Sequence, residues 1–154
     1  VPYAAVERVE SAAEMTAAAM AATDNADALV SAAAISDYTV EPADEKIRSG
    51  QDRLTIELER TPKLIDTVRA DHPDLPIVGF KVESSGGDED LLAHGRELLD
   101  RVDLAFVVAN DASVMGETET RALLVEGADH EEYTGDKQGL GVAVAEKLGE
   151  KVGD

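Results

Sequence analysis

Cysteine and tryptophan are missing from this 154-residue chain, and aromatic residues of any kind make up only 3% of it. Without cysteine there is no disulfide, no thiolate metal site and no thiol nucleophile, and a cytoplasmic setting is expected. Positive charge is scarce as well: 14 Lys and Arg stand against 33 Asp and Glu, a formal net charge of −19. Such a surface repels phosphate backbones, which excludes a general nucleic-acid binder. No apolar run approaches the roughly 18 residues of a membrane span. Val1 is not followed by a basic and then apolar leader, and it reads as an internal start. His72, His94 and His130 lie far apart without ligand spacing, so a protein-bound zinc is not expected. Ser31, Ser36 and Ser113 lack the strand–turn–helix context of a nucleophile elbow.

What is present is ordered rather than disordered in character. Hydrophobic residues make up 44% of the chain and fall in periodic runs, enough for one domain with a sizeable core. The acidity then points to the solvent. At roughly 1 M salt the Debye length drops to about 3 Å, and a surface this acidic stops repelling itself. Few lysines, many carboxylates and Ala-rich helices suit a halophile's cytoplasm, with a haloarchaeon as the expected source; the alternative is an ordinary acidic bacterial or archaeal domain.

Along the chain, "AAVERV" (4–9) predicts a short strand, and "SAAEMTAAAMAAT" a helix whose Ser11 and Glu14 are spaced as a capping box. "ALVSAAAI" (28–35) predicts a buried strand. It runs into a polar arm, "SDYTVEPADEKIRSGQD" (36–52), that carries Lys46 and Arg48. "LTIELE" (54–59) alternates as a half-exposed strand, and Pro62 suits the first position of a helix to about residue 70. "PIVGFKV" (76–82) is a strand, "SSGGDED" a loop with acids at a helix start, and a helix follows to about Arg101. "LAFVVAN" (104–110) is apolar throughout, like a central parallel strand. "RALLVE" and "DHEEYT" form a hairpin around Gly127, and Asp136 opens a last helix weakened at its start by Gly139 and Gly141. The pattern predicts an α/β fold, a three-layer Rossmann-like domain with a mainly parallel central sheet and a C-terminal hairpin.

In such sheets ligands lie beyond the carboxyl ends of the strands. Three strand ends stand out: "SAAAISDY", "VGFKVESSGG" and "VVANDAS". Small residues there let a flat ring or a phosphate approach the backbone. Taken singly each is ordinary, since Ala-rich strands pack helices and Asn-Asp makes turns; their convergence on one rim is the signal. Two readings follow: a nucleotide-dependent enzyme, or an NAD(P)-binding Rossmann module in which "VVANDAS" contacts the cofactor. The latter calls for an intact Gly-rich first turn, and no G-x-G-x-x-G or P-loop pattern occurs in the sequence. A third reading is a non-catalytic relic that only mediates assembly.

In order, "SAAAISDY", "EKIR", "LTIELERTPKLI", "IVGFKVES", "VVANDAS" and "MGETETRALLV" resemble phosphopantothenoylcysteine synthetase, the carboxy-terminal half of the bifunctional decarboxylase/synthetase of coenzyme A biosynthesis. The resemblance covers nearly the whole chain. It implies a ligase in which CTP and the carboxylate of 4′-phosphopantothenate give an acyl-cytidylate and pyrophosphate, after which L-cysteine displaces CMP. Lys46 matches a catalytic flap lysine, followed here by Arg48 and Ser49 where the family often has further lysines. Asp37, Ser31, Ala32, Ala33, Pro62, Lys63, Leu64, Ile65 and Phe80 match nucleotide contacts. Arg96 and Arg101 stand in for two phosphate-binding lysines one helical turn apart, and Asn110 and Asp111 belong to an Ala-Asn-Asp signature.

Mg²⁺ would arrive with the nucleotide and keep most of its waters. FMN is implied only if a decarboxylase is fused upstream. The resemblance also implies a homodimer, for which the hairpin at 123–133 offers an edge. The family opens with a strand and a Gly-rich loop that grips phosphates; nothing like them precedes Val1. The 154-residue chain is therefore expected to bind CTP weakly or not at all, and to have no ligase turnover alone.

Overall fold

A computed structural model describes residues 4–40, 50, 53–83, 87–111 and 119–153. Its order is α1 (Ala12–Thr23), β1 (Leu29–Ser31), β2 (Tyr38–Thr39), β3 (Glu59–Arg60), α2 (Leu64–Asp71), β4 (Ile77–Glu83), α3 (Asp88–Val102), β5 (Phe106–Asp111), β6 (Glu119–Glu126), β7 (Asp129–Asp136) and α4 (Lys137–Val152). The main sheet runs β1-β4-β5-β6-β7. The first three strands are parallel, and the β6–β7 hairpin adds two antiparallel strands.

The sheet separates two cores by the alternation of side chains along each strand. Ile77, Val107, Ala109, Leu123 and Val125 face α1, α2 and α3, packing on Leu64, Val68, Leu91 and Leu99. Val78, Phe106, Val108, Ala122 and Leu124 face α4, packing on Leu140 and Val144. The result is a Rossmann-like three-layer arrangement with a C-terminal hairpin.

Local chemistry sets the element ends. Ser11 Oγ accepts the Glu14 N–H at 3.1 Å, and the Glu14 carboxylate reaches back to the Glu10 N–H at 2.8 Å. Arg69 staples the ends of α2 and α3: its Nε donates to the Val102 carbonyl at 3.0 Å and its Nη2 to the Asp103 carbonyl at 2.8 Å. Asp103 ends α3 in the left-handed region at φ 56°. Gly127, at φ 55°, takes the hairpin's turn position that disfavours a side chain.

Four expectations change. Residues 4–9 form no strand. The strand expected at 28–35 is a ladder of three residues, and Val30 at the sheet edge is 43% exposed. The alternation at 54–59 yields only Glu59–Arg60, paired with Tyr38–Thr39, and leaves Leu54, Ile56 and Leu58 exposed. Alternation marks a strand's two faces but supplies no neighbour to pair with. Pro62 lies outside α2, which starts at Leu64 with Lys63 as its N-cap.

Gly139 and Gly141 part company in the structure. The Tyr133 hydroxyl donates to the Asp136 carbonyl at 2.8 Å, and Asp136 Oδ1 accepts the Gly139 N–H at 2.6 Å. A Cβ on Gly139 would land on the Tyr133 hydroxyl, whereas one on Gly141 meets nothing within 4 Å. Gly139→Ala should therefore cost about 1–2 kcal/mol despite its gain in helix propensity. Gly141→Ala should stabilise by up to about 1 kcal/mol. Urea melts of both variants check the opposite signs.

Candidate functional site

The three-residue β1 ladder sets Leu29, Val30 and Ser31 opposite Ile77, Val78 and Gly79. Past it, the chain at 32–37 runs beside the carboxyl half of β4. The small β2–β3 sheet and the Thr61 N–H, which donates to the Asp37 carbonyl at 2.9 Å, bring the start of α2 against that segment. Between them lies a cavity of about 340 Å³.

Its wall includes Ser31, Ala32, Ala33, Asp37, Pro62, Lys63, Leu64, Ile65, Phe80 and Arg101, all selected from the sequence. Thr61, Gly79, Lys81 and Leu98 also line it and were not selected. A Cβ on Gly79 would sit 2.7 Å from Leu104 Cδ1, so the bare backbone there lets the chain after α3 pack closely against β4. The charged lining is Lys63, Lys81 and Arg101 against the single carboxylate of Asp37. Each of the three is paired, Lys63 with Asp37, Lys81 with Glu83 and Arg101 with Asp66, so the crevice is locally near charge balance in a chain of net charge −19.

Backbone geometry adds a preference of its own. Lys63 gives α2 no side-chain cap, and the first helical N–H groups have no intrahelical carbonyl to bind. With the helix dipole, those donors favour an anion. Thr61 is 6% exposed and its Oγ1 is buried without a partner, a hydroxyl available to a ligand or a water. A Thr-Pro pair before a helix was the signal that could have found it. Lys63 lies 3.7 Å from Asp37, and both are well exposed, so the pair orients the rim more than it stabilises it. Arg101 is paired with Asp66 in the first turn of α2. A second cavity of about 440 Å³ adjoins the first across Ala34, Ile35, Ser36 and Thr61.

Other selected residues lie elsewhere. Arg96 sits five residues before Arg101, on a different side of α3, and its Nη2 donates to the Ala128 carbonyl of the hairpin turn at 2.8 Å. It does not line the cavity. Asn110 is at the end of β5, with Nδ2 3.5 Å from the Arg121 carbonyl, and it also stands outside the cavity lining. Asp111 closes β5 opposite Glu83. Lys46, Arg48 and Ser49, with the rest of 41–49, lie outside the described residues. Among the described residues, no three His, Asp or Glu side chains gather as a metal-holding group, and no helix is long and apolar enough to cross a membrane.

A Rossmann-like α/β sheet with a crevice beyond its parallel strand ends is the arrangement in which such folds take their ligands. A family model described as the DNA/pantothenate metabolism flavoprotein C-terminal domain matches residues 2–152, and the chain belongs to that family. It is similar to the coenzyme A biosynthesis bifunctional protein CoaBC of Thermococcus kodakarensis, at 43% identity over 64% of this chain and 25% of that protein. The protein of the same name from Methanocaldococcus jannaschii is 30% identical over 95% of this chain and 36% of its own length. The chain thus spans about a quarter to a third of these relatives. Its fold superposes on a crystal structure of the DNA/pantothenate metabolism flavoprotein from Streptococcus pneumoniae with a TM-score of 0.83 at 19% identity, covering 94% of this chain and 72% of that one. It also superposes on the C-terminal domain of a coenzyme A biosynthesis bifunctional protein CoaBC, with a TM-score of 0.68 at 21% identity, covering 92% and 63%.

Near Asn110, an ion cluster fixes the start of α3 to the hairpin. Arg121 makes two bonds to Asp88 and one to Glu132, all 2.7 Å. Arg121 holds both carboxyls below their ordinary values, chiefly by hydrogen bonding. Depressed carboxylates stabilise the fold above the ordinary carboxylate range, and that contribution disappears as pH falls through the lowered values. Arg121→Met should lower the melting temperature at neutral pH, and the gap to wild type should close below about pH 4. Thermal melts across pH 2–8 check this.

Proposed function

We propose that this chain is the ligase domain of a coenzyme A biosynthesis enzyme, a CTP-dependent phosphopantothenate–cysteine ligase. The observation that carries the reading is the cavity: residues chosen from separate stretches, Ser31 to Phe80, share one wall, which also holds three of the chain's few cations. Family membership and the names of the curated relatives support the pathway. In this reading residues 1–154 form one nucleotide-binding domain.

CTP lies with its base against Ser31, Ala32, Ala33 and Phe80, and with its phosphates toward Lys63, Arg101 and the start of α2. Mg²⁺ comes with the phosphates. The carboxylate of 4′-phosphopantothenate attacks the α-phosphorus and pyrophosphate leaves. The amine of L-cysteine then attacks the acyl carbon, and CMP departs with the bonding pair as the amide forms. Lys46 closes over the α-phosphate, where charge accumulates in the transition state, and positioned cations are the main catalytic resource. The acidic surface suits a salt-rich cytoplasm, and the domain works as a homodimer.

Thermal melts with millimolar CTP, ATP or NAD at high salt test the nucleotide. Because the chain is expected to bind weakly, CTP near its dissociation constant should raise the melting temperature by roughly 1–2 °C. Lys46→Ala or Lys63→Ala should abolish the shift. A larger shift with NAD than with CTP would overturn the reading in favour of a Rossmann cofactor module.

A further inference from the structure

Lys81 lines the cavity, and the proposed ligase chemistry gives it no part. Its Nζ lies 3.0 Å from Glu83 Oε1, and His94 Nδ1 stands 3.1 Å from that same oxygen. Lys81 and Glu83 are two apart on β4 and so share one face of the sheet, toward α3, which carries His94. The Glu83 side chain is 24% exposed and that of Lys81 is 38% exposed, so both groups are partly screened from solvent. Lys81 first, and His94 after it, hold the Glu83 carboxyl below its ordinary value, which keeps it ionised at neutral pH.

Two properties of this trio suit it to more than packing. An ammonium has three N–H donors, and the Glu83 oxygen takes one, leaving donors for the cavity. In addition, Glu83 keeps an imidazole N–H partner if Lys81 turns away. A partly exposed carboxylate that keeps one donor can therefore release its ammonium at little cost. A surface ion pair between neighbours on one strand adds little stability by itself, so fold maintenance does not account for the arrangement.

The geometry points to Lys81 as an anion-binding residue of the cavity, parked on Glu83 until a ligand polyphosphate takes over its charge, with His94 holding Glu83 in place. The ligand class is a di- or triphosphate oxyanion, which offers an ammonium more negative charge than one carboxylate does. The site rests on the same cavity as the nucleotide reading, but its chemistry needs only the phosphates.

Calorimetric titration of the chain with inorganic pyrophosphate, CTP and cytidine, at one fixed ionic strength, separates the two. Lys81→Met should weaken pyrophosphate roughly tenfold, as for loss of one charged contact, and Lys81→Arg should stay within about threefold of wild type. Glu83→Gln should tighten pyrophosphate by about two- to fivefold, because the competing charge is gone while the acceptor remains. Cytidine binding should be the same in every variant. A purely structural ion pair would not move the two variants in opposite directions.

Wild-type affinity for pyrophosphate in Lys81→Met, weaker binding in Glu83→Gln, or no pyrophosphate binding by wild type would each overturn the assignment. Circular dichroism of each variant, with Lys81→Arg as the folded control, keeps misfolding from imitating lost affinity. If the pyrophosphate contrast holds but CTP binds no better than pyrophosphate, the nucleotide reading fails and Lys81 stands. If CTP binds and Lys81→Met leaves it unchanged, Lys81 fails and the nucleotide reading stands.

Discussion

Three residue pairs between β1 and β4 hold the site together. Leu29, Val30 and Ser31 run parallel to Ile77, Val78 and Gly79, anchored at the base by the Leu29 N–H on the Pro76 carbonyl at 2.9 Å. Because the ladder stops at Ser31 while β4 continues to Glu83, the chain leaves the sheet early and its small residues border open space. Had the pairing continued to Ile35, backbone and side chains would fill the volume the cavity occupies. The deeper core does not depend on this: Val107, Val108, Leu123 and Val125 are buried between α3 and α4 on strands further across the sheet.

Charge is distributed with similar economy. Several of the few cations act as staples. Arg69 ties α2 to α3, and Arg121 ties α3 to the hairpin. Lys147 and Lys151 tie α4 to Glu126 on β6, with Lys147 also 5.8 Å from the centre of the Phe106 ring. Glu126 is held below its ordinary value by those two lysines. Against this background, Lys63, Lys81 and Arg101 gather on one cavity wall, each held by one carboxylate. A ligand rich in negative charge meets a molecule whose net charge repels it, and high salt would weaken that repulsion.

The helices and the hairpin were legible because their signals are local. Ser11, Asp136 and Gly127 each dictate an end or a turn through their own chemistry, and α3 carries a helical period. Strand pairing was less legible, since alternation at 54–59 and apolarity at 28–35 say nothing about which neighbour is available. The parallel strand ends as a ligand rim followed from fold class, but the choice of Asp37, Pro62 and Phe80, which line the cavity, came from resemblance to a family rather than from spacing. Arg96 and Arg101 were grouped by charge, and helical phase separates them. Thr61 and Lys81 were missed because a buried hydroxyl and a lysine inside a strand are unremarkable until the wall they line is visible.

The central claim is that the crevice beyond β1 and β4 receives the phosphates of a nucleotide. The most direct measurement is amide chemical-shift mapping of the isotope-labelled chain during titration with CTP. The account predicts that Ala32, Ala33, Asp37, Leu64, Ile65 and Lys81 move together and saturably, while residues of α4 stay still. Shifts confined to α4 and the outer strand β7, with the crevice silent, would contradict it.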